Sequence, residues 1–439
     1  MLKGIFYSMH GIIRKELEEE MKYTPYLPIV TVILLTLTAC CSAEENLSVP
    51  EELSISQTQV IQEQVLGNNE FAMDLYQELC GSLQSDNIFF SPYSISSALG
   101  MAYAGARGQT AADMAEALHF RFPVEVLNRA FYSLTEELNS EDFSGAEEGE
   151  PFTLTIVNGL WVQDGINLLD DYVSEVTRYY SAAVRNLDFI NDPEGSSETI
   201  NEWIAESTRD RIKDLISPGT LNEETRVVLT NAVYFNAAWL KPFDERATTD
   251  APFEHADRST VDVPMMKRTD YFRYASTEGC SAVELDYAAG NASMLIILPD
   301  GSITDFQQTF DADKLETVRR RLSSCNVSLS MPRFEFTESI QLRPVLSAMG
   351  MGSAFMESAD FSGITGSQDL FISDVLHKAF VKVDETGTEA AAATALIMGI
   401  TAMPLQPVEM TINRPFMFFI IDNGTGSIVF MGRVMDPSV

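Results

Sequence analysis

Cysteine and histidine are scarce. In 439 residues there are five Cys (Cys40, Cys41, Cys80, Cys280, Cys325) and four His (His10, His119, His255, His377). No C-x-x-C pair occurs, so neither a zinc site nor a disulfide framework is suggested, and no metal or cofactor is expected. Positive charge is also short: 29 Lys and Arg stand against 64 Asp and Glu, a net charge of −35. A nucleic-acid binder should be basic, so that class is disfavoured, and the surface should be soluble and self-repelling. The common catalytic signatures are missing too: no G-x-S-x-G elbow, P-loop, H-E-x-x-H or G-x-G-x-x-G. An enzyme is therefore the weakest reading. What is present is apolar material, 45% of the chain, ample for a large core. Nothing marks a linker between Asn68 and Val439, so 68–439 is expected to be one domain.

The N-terminus has its own character. Lys22 starts a stretch whose apolar run, Leu27 to Thr38, is too short to span a bilayer comfortably, and residues 21–40 read as a signal peptide. Leu37-Thr38-Ala39-Cys40 resembles a bacterial lipobox, which implies Cys40 as a lipidated residue after cleavage; an ordinary signal peptide cut near Ala43 is the second reading. Residues 1–20 sit awkwardly ahead of such a signal, and Met21 as the start explains them. Residues 41–67 read as an acidic, flexible tether. A secreted, extracellular protein held at the cell surface by its lipid anchor is expected.

The most informative stretch runs from Glu385 to Met403. Thr388 to Thr401 carries one charge, Glu389, among small side chains. Ala is a good helix former, so a short surface helix is one reading. At strand period 2, however, Thr388, Ala390, Ala392, Thr394, Leu396, Met398 and Ile400 share one uncharged face, and Glu389 falls on the other. Such a segment could slide into an existing sheet.

Glu385-x-Gly387-Thr388-Glu389-Ala390-Ala391-Ala392-Ala393-Thr394 resembles the hinge of inhibitory serpins. Asn413-Arg-Pro-Phe-Met-Phe-Phe-Ile420 and Gly426-Ser-Ile-Val-Phe-Met-Gly-Arg-Val434 resemble the C-terminal strands of the same family. Asn87-Ile-Phe-Phe-Ser-Pro-Tyr-Ser94 and Val228-Leu-Thr-Asn-Ala-Val-Tyr-Phe235 continue the match. The resemblance implies an α+β serpin fold: a large central, mostly antiparallel sheet, two smaller sheets, eight or nine helices and an exposed reactive loop over about 385–407. It also implies a sheet-opening region made by Ser91, Ser94, Asn231 and His377, with Trp239 where the loop enters. His377 is a structural histidine in this reading, not a base. The helix over Val124 to Leu138, basic in some serpins that bind sulfated polysaccharide, is acidic here, so no glycosaminoglycan is expected.

The implied activity is suicide inhibition of a serine protease by a monomer. The protease attacks the loop, forms an acyl-enzyme, and is carried off when the freed segment inserts. Gly387 is expected to allow the backbone reversal. The family's spacing from Glu385 gives Thr401–Ala402 as the cut bond, with Ile400–Thr401 and Ala402–Met403 behind it; counting back from Asn413 points about three residues later, at the unsuitable Pro404. With no Arg, Lys or large aromatic nearby, elastase-like or subtilisin-like targets are expected. The alternative is a non-inhibitory serpin acting as a surface binding protein or chaperone.

Overall fold

The computed structural model describes residues 56–82, 87–139, 153–288, 292–388 and 406–438, all within the compact unit Ser56–Val439. Its helices are α1 (Gln57–Ser82), α2 (Pro92–Gly105), α3 (Gly108–Ala117), α4 (Val124–Asn139), α5 (Asp170–Tyr180), α6 (Pro193–Ser207), α7 (Ile303–Gln307), α8 (Ala312–Arg321), α9 (Arg343–Ala348) and α10 (Ser362–Thr365). The one-turn pieces α7, α9 and α10 bring the described number above the eight or nine expected. The strands are β1 (Ile88–Phe90), β2 (Thr153–Gln163), β3 (Ala183–Leu187), β4 (Val227–Ala238), β5 (Thr249–Glu254), β6 (Thr260–Thr277), β7 (Cys280–Asp286), β8 (Ala292–Pro299), β9 (Ser323–Pro332), β10 (Phe334–Gln341), β11 (Asp374–Val383), β12 (Gly387–Thr388), β13 (Val408–Thr411), β14 (Phe416–Asp422) and β15 (Ile428–Val434).

Two sheets result. The central one runs β10-β11-β12-β4-β2-β3, and β11 also pairs directly with β4. The other runs β1-β15-β14-β8-β7-β6-β9-β13, with β5 on β6. The two smaller sheets expected are thus continuous, because the 18-residue β6 pairs with β5 at its start, with β9 along its middle and with β7 at its end.

The central sheet is covered on both faces, which explains why β4 reads as an unbroken buried run rather than an alternation. On one face Leu229, Val233, Phe235 and Ala237 join the main core. On the other, Val228 and Ala232 meet Ile200 and Ile204 of α6, where Trp161 and Trp203 pack edge to face at 5.2 Å. Beneath the main-core face lies α2, whose sequence PYSISSALGMAYAG is buried nearly all round. Ser91 caps it, its hydroxyl accepting from the Ser94 N–H at 3.2 Å, and Pro92 opens the first turn.

One boundary differs from expectation. Residues 57–67, read as tether, are the first turns of α1. Ser56 and Gln59 form a reciprocal cap: the Ser56 N–H donates to the Gln59 side-chain Oε1 at 3.0 Å, and the Gln59 backbone N–H to the Ser56 hydroxyl at 3.3 Å. Ile61 packs on the core and Val65 is buried in it, so the polar composition conceals an anchored helix.

Candidate functional site at the head and centre of the central sheet

Asn158, Asn231 and His377 form one row across β2, β4 and β11, each opposite the next in register. All are buried. The Asn231 amide donates to Asn158 Oδ1 (2.7 Å), to the Ser94 hydroxyl (2.5 Å) and to the Ser94 carbonyl (3.1 Å). Its Oδ1 lies 2.7 Å from His377 Nδ1. The Ser91 N–H donates to His377 Nε2 at 3.2 Å. Because that N–H can only donate, Nε2 is the unprotonated nitrogen and Nδ1 carries the proton given to Asn231. Burial pulls the imidazole down to about 3, so it is neutral in the folded protein. The Ser91 hydroxyl donates to the Val429 carbonyl at 2.6 Å. Asn158 also donates to the Ser97 hydroxyl at 3.3 Å.

The structure therefore brings Ser91, Ser94, Asn231 and His377 together and adds two residues the sequence reading passed over, Asn158 and Ser97. A signal existed. Ser91, Ser94 and Ser97 are spaced by three, one side of a helix, and Asn158 interrupts an apolar strand. The His377–Asn231 hydrogen bond ties β11 to β4.

Above this row the chain turns back. β11 ends at Val383, and the Asp384 carboxylate accepts from the N–H groups of Thr386 (2.9 Å) and Gly387 (3.3 Å) and from the Thr386 hydroxyl (2.6 Å). Trp239 frames the turn: its indole N–H donates to the Asp384 carbonyl and its backbone N–H to the Thr386 carbonyl, both at 2.9 Å. Its ring stacks on Tyr287 at 4.7 Å. Gly387 and Thr388 then form β12, wedged between β11 and β4 and antiparallel to both. Thr388 is buried, its hydroxyl sharing a 2.8 Å hydrogen bond with that of Tyr287.

Two expectations change here. The loop's first residues are not exposed: Glu385, Gly387 and Thr388 are buried, and Glu385 contacts Arg333 Nη2 at 2.5 Å and the Thr248 hydroxyl. The reversal is made by Asp384, not by Gly387. Glycine is needed at 387 for close approach, since a Cβ there would lie 2.2 Å from the Ala237 carbonyl oxygen. Glu389, Ala390, Ala391, Ala392, Ala393, Thr394, Ile400, Thr401, Ala402, Met403 and Cys40 lie outside the described residues.

A family profile described as Serpin (serine protease inhibitor) matches residues 66–437. The chain belongs to the serpin family. A Thermococcus kodakarensis protein named an uncharacterized serpin-like protein is 43% identical over 373 residues, spanning 84% of each chain. Leukocyte elastase inhibitor A of Rattus norvegicus is 38% identical over 381 residues, covering 84% of this serpin and 98% of the relative. Among solved structures, human thyroxine-binding globulin complexed with thyroxine superposes with a TM-score of 0.76 at 30% identity, covering 87% of this serpin and all of that chain. Serpin48 of Tenebrio molitor gives 0.75 at 30% identity, with coverages of 85% and 98%. The matches thus include named elastase inhibitors and a thyroxine-binding globulin, and membership alone leaves inhibition and ligand binding both open.

Proposed function

We propose that this serpin is an irreversible suicide-substrate inhibitor of elastase-like or subtilisin-like serine proteases. The observation that carries the reading is β12: the hinge already occupies the head of the gap between β11 and β4. Val383 and Ala237, the partners of Thr388, have the same offset as Asp374 and Val228 lower in the parallel pair. A strand can therefore continue downward without either neighbour sliding along its axis; they need only part by one strand spacing, ~4.8 Å.

Continued in that register, the uncharged face meets the sheet's own pattern. Ala390, Ala392, Leu396, Met398 and Ile400 fall on the side of Ala237, Val233 and Leu229, toward the main core. Thr394, the one hydroxyl among them, falls opposite both Asn231 and His377. There its hydroxyl can take the place of the His377–Asn231 side-chain hydrogen bond, which opening must break along with the backbone ladder of the parallel pair. Glu389 faces the other way, opposite Lys382. Insertion also trades a parallel pair for two antiparallel ones, a favourable exchange. Thr388 to Thr401 at ~3.3 Å per residue reaches roughly 45 Å, enough to carry an attached protease to the far end of the sheet. Its active site is distorted there before deacylation.

The cut bond is taken as Thr401–Ala402. The anchoring of the chain through Cys40 and its monomeric state belong to the same reading. A non-inhibitory serpin acting as a surface binding protein or chaperone is the competing reading, and the likeness to a thyroxine-binding globulin speaks for it. Mixing residues 42–439 with elastase or subtilisin separates them on a denaturing gel. A stable band at the summed masses, with a released peptide beginning at Ala402, supports inhibition. Clean nicking with full protease activity retained rejects it.

A further inference from the structure

Asn followed by Gly is a chemically labile step, because glycine leaves the next amide nitrogen unshielded and free to reach the Asn side-chain carbonyl. The sequence has two such steps, Asn158-Gly159 and Asn423-Gly424. The fold treats them differently. Asn158 is buried, and both ends of its amide are engaged: Oδ1 accepts from Asn231 at 2.7 Å, and Nδ2 donates to Ser97 at 3.3 Å. Gly159 lies inside β2, paired with Thr230 on one side and Ala183 on the other.

Asn423-Gly424 stands in the turn between β14 and β15. Asn-Gly is an ordinary hairpin signal, but here the flanking residues close the turn. The Asp422 carboxylate accepts from the Thr425 N–H at 2.7 Å and from its hydroxyl at 2.5 Å, and the Gly426 N–H donates to the Asp422 carbonyl at 2.8 Å. Asn423 is half-buried and Gly424 exposed, and the Gly424 N–H has no acceptor among the described residues. The nitrogen that would attack is therefore held by nothing.

Behind Asn423 stands a buried carboxylate. The Ser293 hydroxyl lies 2.7 Å from Glu284 Oε1 and 3.0 Å from Asn423 Oδ1. It has a single proton to give, and Glu284, which also meets Arg273 Nη1 at 2.6 Å, is the stronger acceptor. With that proton on Glu284, Ser293 offers Asn423 only lone pairs, and the amide is satisfied by turning its NH2 inward. A carboxylate at 423 would lose this donor and face Glu284 across one hydroxyl. The same turn carries α1: Asn69 donates to the Gly426 carbonyl and accepts from the Ile428 N–H, both at 3.0 Å.

We propose that Asn423 is a site of spontaneous deamidation in the folded protein, and that its products weaken the β14–β15 turn. The Gly424 nitrogen bonds to Asn423 Cγ and gives up its proton, the Cγ–Nδ2 bond breaks, and ammonia leaves. Water, the co-reactant, then opens the succinimide at either carbonyl to give aspartate or isoaspartate. Aspartate sets a second carboxylate against Ser293 and Glu284. Isoaspartate lengthens the main chain by one carbon in the turn that holds α1. The chemistry proceeds whether or not this serpin traps a protease.

The test is peptide mapping of the intact protein after incubation at mildly alkaline pH, native and in urea, with aspartate and isoaspartate located by mass spectrometry. In urea both steps are free and should convert at similar rates. In the native protein Asn423 should convert at least about tenfold faster than Asn158, whose reaction must wait for β2 to open. A native rate at Asn423 no faster than at Asn158 overturns the site. Asn423→Asp should melt several degrees below wild type. If that variant folds poorly, the aged fraction, separated by ion exchange on its added negative charge, supplies the same comparison. A melting temperature equal to that of fresh wild type overturns the weakening of the turn.

Discussion

Arg333 reaches from the start of the edge strand to the Glu385 carboxylate at 2.5 Å, fastening the hinge to the head of the sheet. Glu385 is almost fully buried and Arg333 about two-fifths exposed, so the pair is partly screened. Arg333→Ala leaves a buried carboxylate with only the Thr248 hydroxyl as its side-chain partner. The expected cost is about 1–3 kcal/mol, a fall of several degrees in melting temperature. Differential scanning fluorimetry reads it, and Glu385→Gln should lose less because no charge is stranded.

Thr388 sits in a space made for a small hydroxyl, against Tyr287 and between two strands. Thr388→Arg places a charge there. The variant should still be cut in the loop but should not trap the protease, shifting the product from covalent complex to nicked inhibitor. Denaturing gels over a range of protease ratios measure the split.

Gly387→Ala tests the close approach rather than backbone freedom. The new methyl meets the Ala237 carbonyl oxygen at 2.2 Å, so β12 must leave the sheet or β4 must bend. A loss of about 1–3 kcal/mol is expected, together with increased proteolytic sensitivity of the hinge.

His377 predicts a pH dependence. Its ordinary value is 6.5, and burial draws the folded form to about 3. The unfolded chain therefore takes up the proton first as pH falls. The contribution is fully present above pH 6.5 and is lost progressively between 6.5 and 3, amounting to ~2 kcal/mol at pH 5. Protonation would also aim an Nε2–H at the Ser91 N–H and break that contact. Urea midpoints at pH 7.5 and pH 5 should differ in wild type by more than in His377→Gln, after both are compared at pH 7.5.

Much of this site was legible in the sequence because its parts are local. The hinge motif, the Ser-Pro cap of α2 and the small-residue tract stand in consecutive residues whose chemistry can be read directly. Less legible was whatever depends on what lies opposite. Glu385 looks like a loop carboxylate until Arg333, 52 positions earlier, is brought beside it. Gly387 looks like a turn glycine until β4 is laid against it. Asn158 becomes part of the polar row only through pairing across strands. The start of α1 was a different failure: Ser56-x-x-Gln59 is a local cap signal, overlooked because the surrounding composition suggested a tether.

Loop insertion is the centre of the account, and the most direct measurement is the melting temperature of this serpin before and after a single cut in the loop. Cutting a chain ordinarily leaves its stability unchanged or lowers it. Here the freed strand should enter between β11 and β4, add hydrogen bonds to both, and raise the melting temperature well above that of the intact protein. An unchanged or lower value, with the cut confirmed by mass, would contradict the insertion mechanism.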